Sequence, residues 1–181
     1  MNWQQDKRWA DRFMPEIKAV LGMHLLGEAP QEEDAERATD LIVLRMDPVR
    51  IAVRMRKRQY AENKQYLGEF TIRSDRASGM KTELRKVISG FGDFMLYGFE
   101  HSAGGRLGRW TLIDLNVFRE SHAVMQCRCG CGEMPGLPKD NHDGGSSFRV
   151  FRYEEFPSSL VVATGDGLSV GRELELLIHN P

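Results

Sequence analysis

The run Arg50-Ile51-Ala52-Val53-Arg54-Met55-Arg56 alternates strictly between basic or small residues and large apolar ones. Alternation with a period of two marks an extended strand, whose successive side chains point to opposite faces. Ile51, Val53 and Met55 then share one face, and Arg50, Ala52, Arg54 and Arg56 the other. The apolar face must be buried, whereas the guanidinium groups need water, counter-charges or an anionic ligand. Gly68-Glu69-Phe70-Thr71-Ile72-Arg73 repeats the device, with Phe70 and Ile72 on one side and Glu69, Thr71 and Arg73 on the other. If the two strands are sheet neighbours, Glu69 and Arg73 share a face with Arg54 and Arg56, and the charges form one cluster.

The charge of the whole chain conceals this. Lys and Arg number 25 against 26 Asp and Glu, a net charge of −1. Between Arg45 and Lys86, however, 12 basic residues stand against 5 acidic ones, so this stretch carries +7 and the remainder −8. Of the 25 basic residues 18 are Arg, whose planar fork suits phosphates and base edges. Segregation of this kind points to a surface facing a polyanion, with nucleic acid the expected partner. Solvated helix faces and internal ion pairs are the competing use of such charges. The residues expected to touch nucleic acid are Arg54, Arg56, Arg58, Arg73, Arg76, Lys81 and Lys86. The aromatic residues Tyr60, Tyr66 and Phe70 can stack on bases or simply fill the core.

A length of 181 residues fits a single domain with its own core. The core region is expected over about 9–118, a Cys/Gly/Pro-rich loop over about 122–147, and a C-terminal strand and tail over 148–181. Trp9, Phe13, Ile17, Val20, Leu21 and Leu25 follow a helical stripe, with Pro15 starting or kinking the helix. Leu41-Ile42-Val43-Leu44 reads as a buried strand, and the segment from Gly79 to Gly90 as a short helix. Asp93–Phe99 and Arg109–Leu115 read as a hairpin around Ala103-Gly104-Gly105, followed later by strands at Phe148–Tyr153 and Leu160–Ala163. This order predicts an α/β (α+β) fold with a mixed central sheet flanked by helices. No apolar run is long enough to span a membrane, and the charged opening residues are not followed by the apolar stretch of a signal peptide. No membrane association is expected, and the cytoplasm is the default location.

A helix bearing a carboxylate (Glu16), a strand opened by Thr39-Asp40-Leu41, a second strand with a basic residue (Arg54), a helix and a further strand resemble the PD-(D/E)XK nuclease-like superfamily over about residues 9 to 118. The resemblance implies a restriction-endonuclease-like core and Mg²⁺-dependent hydrolysis of phosphodiesters. Hard oxygen ligands hold the metal, and a cation stabilises the developing charge. On this resemblance Asp40 and the auxiliary Glu16 ligate Mg²⁺, and Arg54 takes the place of the Lys. Ala52-Val53-Arg54 stands where the family has (D/E)-x-K, so the second carboxylate is missing. Arg also cannot act as a base. Glu69 supplies the missing carboxylate from a neighbouring strand, or the site is inactive and only the basic face remains, or Glu69 merely neutralises Arg54, Arg56 or Arg73. A catalytic set of Asp40, Glu69 and Arg54 is thus set against an accessory or inhibitor protein whose basic face docks on an acidic partner. Thr82, Glu83 and Lys86 lie where a helix N-terminus can meet a phosphate, although Glu83 also suits the helix dipole.

Cys127-Arg128-Cys129-Gly130-Cys131 lies between His122 and His142. Cys127, Cys129 and Cys131 with His142 make a candidate Zn²⁺ set, which would be structural because it is closed. Free thiols are the alternative in a reducing compartment, and a disulfide a third. Neither a P-loop nor a G-x-S-x-G nucleophile elbow occurs.

Overall fold

The computed structural model describes residues 3–28, 41–43, 49–76, 82–129, 134–141 and 145–171. The N-terminal stripe forms two helices, α1 (Trp3–Asp11) and α2 (Met14–Leu25). Pro15 falls in the first turn of α2, where its missing N–H has no helical partner to lose. Strands β1 (Leu26–Glu28) and β2 (Leu41–Val43) pair antiparallel as a two-stranded sheet of their own.

The centre is a five-stranded mixed sheet. It contains β3 (Ile51–Arg56), β5 (Phe94–Glu100), β6 (Leu107–Asp114), β9 (Val161–Asp166) and β10 (Ser169–Gly171), in the order β10-β9-β6-β5-β3. Only β3 and β5 run parallel. Parallel neighbours need a long crossover, and here it carries helix α3 (Arg58–Ala61), a 3₁₀ turn (Lys64–Gly68), strand β4 (Glu69–Arg76) and helix α4 (Glu83–Ile88). The expected lateral pairing of the two arginine-bearing strands does not form. The edge of β3 pairs with β5, and β4 joins β7 (Leu137–Asp140) and β8 (Ser146–Arg152) in a separate antiparallel sheet of order β4-β8-β7. Between β6 and β7 runs a long helix, α5 (Leu115–Cys129), so the expected loop over 122–147 includes its last two turns and strand β7. Asp114 starts α5 by accepting hydrogen bonds at Oδ1 from the N–H groups of Asn116 and Val117.

Alternation along the central strands divides the interior into two clusters. Ile51, Val53, Met55, Phe94, Leu96, Trp110 and Leu112 meet Phe13, Ile17 and Val20 of the N-terminal helices. A Cβ on Gly98 would stand 2.9 Å from the Sδ of Met55, its ladder partner on β3, so glycine here leaves room for the Met55 side chain on this face. On the opposite face, Met95, Tyr97, Phe99 and Ile113 meet Phe70 and Ile72 of β4, Leu84 and Val87 of α4, Phe118 of α5, and Phe151. Phe70 is fully buried, and its ring packs with those of Phe118, Phe151, Tyr153 and Phe156 at centroid distances of 5.2–5.9 Å. The protein is therefore a mixed α+β fold with helices on one face of the central sheet, and helices plus a second sheet on the other. Among the described residues no helix is long and apolar enough to cross a membrane.

Candidate nucleic-acid interface

Ala52 packs on the second of these clusters while its neighbours Ile51 and Val53 pack on the first. By the same alternation Arg54 and Arg56 point toward the small sheet. That sheet presents a matching face. Residues directly opposite in a ladder share a face, so Glu69 with Arg152, Thr71 with Val150 and Leu137, and Arg73 with Phe148 and Lys139 line one side. Phe70 with Phe151, and Ile72 with Arg149, line the core side. Of the charges expected to cluster, Arg56 acts on Glu69 while Arg54 pairs with Glu83, and β3 meets this side of the small sheet through the Arg54–Thr71 and Arg56–Phe148 contacts and not by two strands pairing.

Within this seam the four sequence-selected groups divide into two kinds. Arg54 is spent internally. Its Nη1 lies 2.8 Å from Glu83 Oε2, and its Nε donates to Thr71 Oγ1 at 3.3 Å. Thr71 Oγ1 in turn lies 3.3 Å from the Tyr97 hydroxyl, and Glu83 Oε2 also accepts the Arg73 backbone N–H at 3.3 Å. Glu83 opens α4, and Thr82 caps this helix by accepting from Arg85 N. The carboxylate at this helix N-terminus therefore serves an ion pair inside the protein.

Arg56 is placed otherwise. Its guanidinium lies 4.1 Å from the centroid of the Tyr60 ring and 5.9 Å from that of Phe148. Glu69 is 9% exposed, and Arg152, Arg56 and Lys139 all act on it electrostatically. Burial pushes its carboxyl above the ordinary 4.5 in spite of these three cations. Three positive side chains, from three strands, thus act on one largely buried carboxylate. Lys139 and Arg152 are exposed and Arg56 half-buried; Arg152 also lies 3.6 Å from Glu154 Oε1 in a solvent-exposed pair, which a ligand can displace far more easily than the largely buried Arg54–Glu83 pair.

The other expected residues are distributed as follows. Glu16 sits on α2, which packs on the far face of the central sheet. Its Oε2 accepts the Leu107 N–H at 2.7 Å, and its Oε1 lies 3.6 Å from Arg106 Nε. It is not brought together with Glu69, so the proposed sharing of one metal ion by these two carboxylates is corrected: the central sheet separates them. Asp40 and Lys81 lie outside the described residues. The strand that follows Asp40 pairs with β1 and not with β3. Arg58 is exposed and reaches the Ser102 carbonyl at 3.5 Å. Arg73 is half-buried, Arg76 is paired through its backbone with Ser146, and Lys86 is exposed on α4. Cys127 is a free, exposed thiol on α5, and Cys129 ends that helix. Cys131 and His142 lie outside the described residues. Among the described residues no three His, Cys, Asp or Glu side chains gather as a metal-holding group.

Sequence reasoning missed Lys139, Phe148 and Arg152. Phe148 and Arg152 each sit two residues from Val150 on an alternating strand, so their common face was readable. That it faces Arg56 was not. Comparison of the chain with protein-family models, with curated proteins and with solved structures finds no match.

Proposed function

We propose that this chain binds nucleic acid through the seam between β3 and the small sheet, with Arg56, Lys139 and Arg152 as the phosphate-facing cations. The observation that carries the reading is the gathering of these three cations from three strands on one side of the small sheet, Arg152 opposite Glu69 and Lys139 opposite Phe148 in the ladder and Arg56 reaching Phe148, with one carboxylate, Glu69, under the influence of all three. Their positive excess offers an anion site, and two of the three are arginines, the side chain best shaped for phosphate. Binding is favoured over Mg²⁺-assisted hydrolysis because two residues that hydrolysis would enlist are engaged elsewhere. Glu16 caps a backbone N–H on the far face of the sheet, and Arg54 is held by Glu83.

The test is fluorescence anisotropy of a labelled oligonucleotide over a salt series. Three phosphate contacts predict that log K falls with log salt at a slope of about −2 to −3. Arg152→Ala should make the slope shallower by nearly one. Absence of binding at about 50 mM salt, or binding indifferent to salt, overturns the reading. It would leave the same cations to an acidic protein partner.

A further inference from the structure

We infer that the ligand of this face is single-stranded, with an unpaired base laid against the cluster of Phe148, Arg56 and Tyr60. This inference rests on the nucleic-acid reading above and adds to it the class of nucleic acid. Its basis is a different observation, the placing of aromatic rings around the cations. Phe70, Phe118, Phe151 and Phe156 are consumed by one another in the core. Phe148 packs in neither core cluster and is half-buried. Among the described residues its only close π-partner is the Arg56 guanidinium, at 5.9 Å. The same guanidinium lies closer to Tyr60, at 4.1 Å, and Tyr60 is braced edge-on by Tyr66 at 5.7 Å.

A guanidinium over an aromatic ring is a flat, positively charged platform, and every base has a π-face that can extend it. The looser of the two contacts, that with Phe148, marks where a base would join. Arg73 and Lys139 are the ladder partners of Phe148, so cationic residues lie directly to either side of the ring. In a duplex the base faces are covered by their neighbours and only edges are presented in the grooves. An unpaired strand can offer one face to the ring and its flanking phosphates to Lys139 and Arg152.

The experiment compares three labelled probes of about 12 nucleotides: a mixed-sequence single strand, the same backbone made abasic, and the duplex. The wild type should bind the base-bearing strand about 10- to 100-fold more tightly than the abasic one, the range expected for one or two stacked bases. The duplex should also bind more weakly than the base-bearing strand. Phe148→Leu and Arg56→Lys keep bulk or charge while removing a flat surface. Phe148→Leu should erode the preference for bases while leaving affinity for the abasic backbone nearly unchanged, whereas Arg56→Lys should erode it and also weaken the abasic strand, because Arg56 is one of the phosphate-facing cations as well. Circular dichroism shows whether each variant is folded, and the wild-type comparison of probes stands even if a variant is not. Equal affinity for the abasic and base-bearing strands, or tighter binding of the duplex, overturns the inference while leaving the nucleic-acid reading intact. Failure to bind any of the three probes overturns both.

Discussion

The Arg54–Glu83 pair separates a structural from a ligand-binding use of the basic strand. The perturbation is a double-mutant cycle of Arg54→Met and Glu83→Leu. The two side chains meet at 2.8 Å and are 15% and 27% exposed. Exposed ion pairs contribute about 0–1 kcal/mol, whereas breaking a fully buried pair costs about 3–5 kcal/mol. A mostly buried pair joined through a single guanidinium nitrogen falls between, so each single variant should lose about 1–3 kcal/mol. Glu83→Leu should be the costlier of the two. It leaves the better buried charge, Arg54, with only the Thr71 hydroxyl, and it removes the acceptor of the Arg73 N–H. The double variant should be less destabilised than the sum of the singles by about 1–2 kcal/mol, because neither charge is then left alone. Urea unfolding of the four proteins at one pH measures this through the midpoint at constant m-value. Additivity within about 0.5 kcal/mol would refute the reasoning. So would an Arg54→Met protein of unchanged stability that no longer binds oligonucleotide, since Arg54 would then be a ligand contact and not an internal tie.

Three further outcomes follow from the same geometry. Glu69 has its folded-state pKa raised above the 4.5 of an ordinary carboxyl, so as pH rises past that value the unfolded chain releases its proton first and stability declines. Glu69→Gln should remove that decline and be at least as stable as the wild type near pH 7 in urea titrations between about pH 4 and 7; a clear loss of stability there would show the carboxylate to be a net stabilising partner of its cations. His122 is 2% exposed between Phe118 and Phe151, and burial together with the nearby Arg149 charge lowers its pKa below 6.5. Below 6.5 the unfolded chain takes up a proton that the folded chain resists, so stability should fall with falling pH, and His122→Leu should flatten this limb of a pH series of thermal melts. Gly136 has φ +86°, and a Cβ there would stand 2.6 Å from the Phe151 ring. Gly136→Ala should therefore cost about 2–4 kcal/mol from backbone strain and core displacement, against about 1–2 kcal/mol for Gly104→Ala, where φ is +79° but the space is open; equal losses by denaturant midpoint would contradict the clash.

Much of the local structure was legible because it depends on near neighbours. The alternation at Arg50–Arg56 correctly divides Ile51, Val53 and Met55 from Ala52, and the Ala103-Gly104-Gly105 hairpin lies between β5 and β6 as read. Helix α5 was not foreseen. Its buried positions Leu115, Phe118 and His122 follow a helical spacing, but a histidine on the apolar face weakens the stripe, and the cysteines beyond it suggested a loop. The candidate site was half legible. Arg56, Glu69 and Tyr60 could be named from a charge block and its aromatics, whereas Phe148, Lys139 and Arg152 lie 70 to 96 residues away from them along the chain.

By itself the sequence determined that this chain carries strands with one apolar and one basic face, gathered in a block of +7 within a near-neutral total. Periodicity and charge are properties of a segment, and they survive whatever the rest of the chain does. Which arginine is spent and which is open was decided only by tertiary structure. Arg54 and Arg56 are equivalent in the pattern, two residues apart on one face. The crossover between parallel strands sets Glu83 beside the first, and the β4–β8–β7 ladder sets Phe148, Lys139 and Arg152 near the second. A charge takes its role from the groups that desolvate and pair it, and those arrive from distant parts of the chain only when the two sheets close on each other.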